Sequence, residues 1–314
     1  MKIGVTFLAF ILLTNAVHAA ESNIATITQI QGKTQIFVNP SKKPIQGKSI
    51  ENNTMVYFEG SYYQIQNAKV GDKMNQGTIL RTLPGAHANM IYDNGDQIHI
   101  GPGTAYRVEA TGKKEAKVKI QLMYGRLRGI VTKEGPRQKL QIKTRTATMG
   151  VRGTDFFISD SGTNNETEVT VIRGAVSVKT EKTETIIKTG TSAIVAENTP
   201  VETHETTKED LKNIETASSV NKNDSIDLMN IKILEKKAVE ATLQDIKVYQ
   251  PEIFEKLNAD SKEPLNLQSL NTKTLNLVAL TAPSAPLKKG KPRIDELNET
   301  EDKDIYEKYF KKGE

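Results

Sequence analysis

The chain has 314 residues, a formal net charge of +5 and only 5% aromatic residues, with no tryptophan and no cysteine. That length supports one or two domains with a real core, which must be aliphatic and thin, as in a stack of sheets rather than a bulky enzyme. The missing cysteines exclude disulfides, a thiol nucleophile, cysteine–zinc sites and a lipid-bearing cysteine behind an export signal.

The first element in chain order is an export signal over residues 1–19. Lys2 supplies the charge, Ile3–Leu13 the apolar run and Val17-His18-Ala19 the small residues suited to cleavage near Ala19. The apolar run is too short to span a bilayer, which takes about 20 residues. No later segment is apolar enough to span one either, so the sequence predicts an exported protein, periplasmic or at the cell surface, with no integral membrane span.

Residues 20–66 read as a β segment. Ala25–Ile30 alternates, Gly32 breaks the run, and Thr34–Val38 resumes it. Met55–Phe58 and Ser61–Ile65 predict a hairpin across Glu59-Gly60. Residues 67–197 form a dense run of strands with a turn signal about every ten residues. Gly71-Asp72 is a turn, and Asp93-Asn94-Gly95-Asp96 is the strongest hairpin signal, because Asn-Gly suits positive φ at both turn centres. Further hairpins are expected around Tyr124-Gly125, Arg173-Gly174 and Thr189-Gly190. Between Lys139 and Ser159, Gly150 and Gly153 bracket a sharp corner joining two strands. Strict alternation in these strands buries one face and wets the other, so the expected fold is mainly β, a sandwich, barrel or solenoid.

Composition changes near Glu197. Residues 198–224 read as a linker with a short helix near Lys208–Glu215, and residues 225–258 as a helical segment with Ser225 at its N-cap. Its apolar face is expected to cap the open end of the β stack. Residues 259–314 read as a mostly disordered tail.

Charge is uneven. The first 200 residues carry 25 basic against 16 acidic residues, the remainder 18 against 22. Strand alternation places Lys117 with Lys119, Arg126 with Arg128, and Lys139 with Lys143 and Arg145. If these strands are neighbours, the seven cations tile one sheet face suited to an acidic partner; the alternative is a solvated edge kept soluble by its lysines. Nucleic acid is not expected, because no aromatics interleave with the basic residues. His87 and His99 could face each other as half a metal site, and Asp93 with Asp96 could hold calcium, but exposed strand histidines and turn-forming aspartates are the simpler readings. Thr154-Asp155 has no base placed in sequence to activate the hydroxyl, and Arg152 beside Asp155 reads as an ion pair or a hydrogen-bonded corner. No catalytic, cofactor or metal site is therefore assigned.

The runs GDKMNQGTILRT, MIYDNGDQIHIGPGTAYRV, QLMYGRLRG, LQIKTRTATMGVRGTDFFI and VTVIRGAVSV together resemble the FecR domain over about residues 70–197. The most specific piece matches the family pattern through Thr144, Ala147, Arg152, Gly153, Thr154 and Phe156, and Gly71, Asp72, Gly95, Gly125 and Gly174 fall at its turns. The resemblance implies a twisted, solenoid-like β domain used for contact with proteins or ligands, without known catalysis. In the best-known members such a domain sits in the periplasm and relays a signal from an outer-membrane receptor to a sigma factor through one transmembrane helix. This sequence departs from that arrangement, with an export signal and neither an anti-sigma segment nor a membrane helix. The expectation is an exported interaction or signalling module whose partner is another envelope protein, with an acidic glycan or peptidoglycan as the alternative ligand.

Overall fold

The structure is a computed structural model that describes residues 25–93, 95–110, 117–133, 139–162, 165–197, 199–219, 229–260 and 265–284. Its strands make two sheets joined through one long strand. From edge to edge the first sheet runs β5 (Lys73–Met74), β1 (Ala25–Gln31), β7 (His87–Tyr92), β8 (Gln97–Ile100), β10 (Lys117–Ile130), β13 (Asp155–Ser161), β14 (Glu166–Arg173), β17 (Thr191–Ala196) and β18 (Glu202–Glu205). The second runs β3 (Met55–Phe58), β4 (Ser61–Asn67), β2 (Thr34–Ser41), β6 (Ile79–Thr82), β9 (Ala105–Ala110), β10 again, β11 (Lys139–Lys143), β12 (Thr148–Val151), β15 (Ala175–Lys179) and β16 (Glu184–Lys188). All these pairings are antiparallel except β10 with β11. The molecule is mainly β, and the sheets stay open.

Alternation builds the core. Ile27, Met90, Ile98, Leu127, Ile158 and Val169 of the first sheet belong to one buried cluster with Leu80, Val108, Ile120, Ile142, Met149 and Val178 of the second. Each such side chain, fully buried, contributes about 1.5–3 kcal/mol. A polar link crosses this layer: the Tyr92 and Tyr106 hydroxyls hydrogen-bond each other. Burial, reinforced by Tyr92, pushes the Tyr106 phenol well above its usual pKa.

The glycine turns divide into two kinds. Glu59-Gly60 makes the expected hairpin between β3 and β4, and β7 pairs with β8 across the loop containing Gly95. The three other expected hairpins are not hairpins. Residues 117–130 form one continuous strand, whose first half pairs with β9 and β11 and whose second half pairs with β8 and β13. Gly125 sits at the crossover with φ +93°, and a Cβ there would lie 2.4 Å from Thr104 Oγ1. β14 and β15 belong to different sheets, as do β16 and β17, so Gly174 and Gly190 are corners between layers. At Gly174 (φ +85°) a Cβ would stand 2.5 Å from the Gly153 carbonyl oxygen, so the corner after β12 and the corner after β14 nest into one another. The chain thus wraps from layer to layer, making hairpins within each layer.

The region expected to be a linker, 198–224, contains β18 and helix α1 (Lys208–Ser218). Thr207 opens α1 with a capping box to Asp210. The helical segment comprises α2 (Met229–Tyr249) and α3 (Pro251–Asp260); Ser225 lies outside the described residues. The expected tail contains a further helix, α4 (Leu267–Thr281), opened by a capping box between Asn266 and Ser269. Leu211, Ile214 and Ala217 of α1 and Leu275 of α4 bury against Phe157 and Ile172 on the outer side of the first sheet. α2 lies across strand ends there: Gln97 Nε2 donates to Thr242 Oγ1 at 3.0 Å and Lys133 N to Asp245 Oδ2 at 3.3 Å. The segment expected to be an export signal, residues 1–19, and residues 285–314 lie outside the described residues.

Candidate functional site

The two sheets present opposite outer faces. On the second sheet, the inward positions of β10, β11, β12, β15 and β16 are apolar and the intervening residues point outward. Register aligns Lys119, Gln141, Gly150, Ser177 and Ile186 in one row across the five strands. The next row is Gln121, Lys143, Thr148, Lys179 and Glu184. Ala175 and Lys188 pair in a third, and the exposed Arg152 follows β12. A Cβ at Gly150 would meet only Ser177 Cβ, at 3.9 Å, so the centre of this face is flat and open. Ile186 is 64% exposed there.

The seven expected cations divide between the sheets. Lys119 and Lys143 lie on this outer face, and the backbones of Lys117 and Lys139 pair at its margin. Arg126 and Arg128 belong to the other half of β10 and so to the first sheet. Arg128 is only 3% exposed and grips Asp155 with two hydrogen bonds, from Nε at 2.9 Å and from Nη2 at 2.7 Å. Arg145 turns away to Asp160 at 3.4 Å and to the carbonyls of Ser161 and Gly162. Lys179 and Lys188 replace these arginines on the outer face. Alternation within 175–188 could have indicated them, but only if β15 and β16 were known to neighbour β12.

The outer face of the first sheet is covered by helices and carries buried charge. Asp155 pairs with Arg128 across the strands, not with Arg152 as the sequence suggests. Arg173, fully buried, lies 3.9 Å from Asp245 of α2. Burial lowers the Arg173 pKa, with Asp155 and Asp245 opposing that shift. His99 stands opposite Asn89, not His87, and its Nδ1 lies 2.9 Å from Asn89 Oδ1. Burial first, then the Arg128 charge, pushes the His99 pKa down to about 3, so the ring is neutral at physiological pH. Burial also lowers the His87 pKa, against a hydrogen bond to the Ala217 backbone. Asp96, a possible calcium ligand on sequence, accepts from Thr132 N at 2.8 Å and Thr132 Oγ1 at 3.0 Å. A cavity of about 210 Å³ remains between sheet and helices, floored by Asn89, Gln97, His99 and Arg128 and walled by Glu215 and Asn271.

The motif residues shape backbone. Thr154 Oγ1 donates to the carbonyls of Arg152 (3.0 Å) and Ala175 (2.9 Å), tying together the nested corners, so its hydroxyl is engaged in structure. Thr144 and Ala147 close the β11–β12 turn with reciprocal hydrogen bonds. Phe156 lies where a Cβ on Gly129 would stand, 2.3 Å from its ring. Gly71 N donates to Ile27 O, and Ile27 N to Asp72 O, fastening that turn to β1.

These corners, turns and the two-sheet strand are the setting in which the chain matches a known family. Residues 78–177 match the FecR protein family. The FecR match opens just before β6 and ends within β15, so it includes the strand shared by both sheets and the nested corners. No curated protein matches the chain. Two crystal structures of a candidate anti-sigma factor from Parabacteroides distasonis ATCC 8503, at 1.65 Å and 2.50 Å resolution, are similar at 19% identity and a TM-score of 0.37. Each similarity covers 41% of this chain and 59% of that one, so the chain spans less than two thirds of these relatives. Among the described residues no helix is long and apolar enough to cross a membrane.

Proposed function

We propose that the protein is a non-enzymatic, exported FecR-type interaction or signalling module that holds an acidic protein partner on the bare outer face of its second sheet. The supporting observation is that face itself: flat at Gly150, uncovered by any described helix, and bearing Lys119, Lys143, Lys179 and Lys188 with Glu184 as the intervening acid. Solvated cations on a rigid sheet steer and orient an acidic surface more than they add raw affinity. The covered face takes the structural role, because its charges are engaged with one another.

The test is binding of a fluorescein-labelled poly-glutamate peptide, followed by anisotropy across a salt series. The wild-type chain should bind, and added salt should weaken binding. A triple charge reversal, Lys119→Glu with Lys143→Glu and Lys179→Glu, should weaken it at least tenfold without shifting Tm. Equal binding by the variant would refute the cationic face. Co-sedimentation with purified peptidoglycan sacculi, unaffected by the same variant, would favour the cell-wall reading. Export is read separately: processing should leave Ala20 as the N-terminal residue of protein recovered from the envelope fraction.

A further inference from the structure

At the β18 edge of the helix-covered face, three potential metal ligands converge from three elements. Glu168 of β14, His204 of β18 and Asp210 in the first turn of α1 bring one ligand atom each within 4.8 Å of one another. His204 Nε2 lies 4.0 Å from Asp210 Oδ2. Sequence separates Glu168 from the other two by more than thirty residues; the β14–β17–β18 ladder and the docking of α1 bring them together.

We infer that Glu168, His204 and Asp210 form a binding site for a divalent transition-metal ion of the zinc type, which fastens α1 to the edge of the first sheet. The donor set favours this class. An imidazole with two carboxylates suits zinc, whereas calcium takes six to eight oxygens and magnesium demands an octahedron of them. A tetrahedral ion with bonds of about 2.0–2.2 Å has ligand–ligand edges of about 3.4 Å, so the three groups need to close by little more than 1 Å. Asp210 is the anchored ligand. It is buried, and its Oδ2 accepts from Thr207 N at 2.7 Å and Thr207 Oγ1 at 2.8 Å, so its carboxylate is oriented before any ion arrives. His204 is 36% exposed, which gives the ion a route in from solvent. Three protein ligands leave a fourth position for water or a donor from outside the chain. This inference stands independently of the docking face.

The test is calorimetric titration of the full-length chain with ZnCl2 after stripping with EDTA, with MgCl2 and CaCl2 as comparison ions. One saturable Zn2+ per chain is expected, with a Tm that rises as Zn2+ is added and no comparable response to the other two ions. His204→Ala and Glu168→Gln, each checked for folding by its metal-free Tm, should each weaken Zn2+ binding at least tenfold. His204→Gln and Glu168→Ala replace either variant that fails to fold. Absence of saturable uptake overturns the site, as does undiminished uptake in either folded variant.

Discussion

The two outer faces of this molecule carry charge in opposite ways. On the first sheet Arg128, Asp155 and Arg173 are buried beneath helices, Arg128 answering Asp155 and Arg173 facing Asp245 of α2. On the second sheet Lys143, Lys179 and Lys188 stand in solvent with no described helix above them. Removing one member of a buried pair leaves its partner desolvated and uncompensated, whereas a solvated lysine loses little when its neighbours change. Basic residues of similar sequence appearance, some on the same strand, thus have unrelated roles.

The comparison is broken most severely at Asp155. Asp155→Ala should destabilise the protein by about 3–5 kcal/mol, measured by urea denaturation, because it strands Arg128 beneath the helices. A loss below about 1 kcal/mol would mean that water reaches this face. Next comes Gly174→Ala, expected to cost about 2–4 kcal/mol because of its positive φ and the 2.5 Å approach to the Gly153 carbonyl. An unchanged Tm would refute the nested corners.

A pH titration sharpens the contrast further. The folded-state pKa of His99 is depressed to about 3, so the unfolded chain takes up the proton first as pH falls below about 6.5. The associated stability is intact above that value and is lost progressively toward pH 3, amounting to about 2 kcal/mol by pH 5. Asp160 acts with the opposite sign. Burial raises its carboxyl to about 6 despite Arg145 and Thr167, so its contribution is greatest in acid and is lost as pH rises through 6. His99→Gln compared with wild type, by denaturation at pH 5 and pH 7, isolates the histidine; parallel losses in both proteins would contradict a buried neutral ring. The smallest effect is expected on the bare face, where Gly150→Ala should shift stability by no more than about 0.5 kcal/mol.

Much of the β architecture was legible from alternation alone. Inward residues such as Ile120, Leu122, Leu140 and Ile142 occupy every second position, and they are buried. What alternation does not encode is the partner of each strand. A hairpin and a layer-crossing corner both need a residue able to adopt positive φ, so Gly60 and Gly174 give the same local signal with different outcomes. Only packing at a distance, such as Gly174 against Gly153 or Gly125 against Thr104, distinguishes them. The outer row of cations is therefore half visible in sequence: alternation puts Lys119 and Lys143 on it, whereas Arg128 falls on the other sheet and Lys179 joins only through the β12–β15 pairing. Helix α4 was obscured by its Asn- and Leu-rich composition, although Asn266 and Ser269 supply a capping pair three residues apart. The trio Glu168, His204 and Asp210 had no sequence signature, because a ladder and a docked helix bring it together.

The single strand from Lys117 to Ile130 also has a mechanical consequence. Because its two halves are laced into different layers, sliding one layer over the other would have to tear its ladders with β9 and β11 or those with β8 and β13. A tug delivered at Lys119 therefore reaches Arg128 along covalent backbone, without relying on side-chain contacts to carry the load.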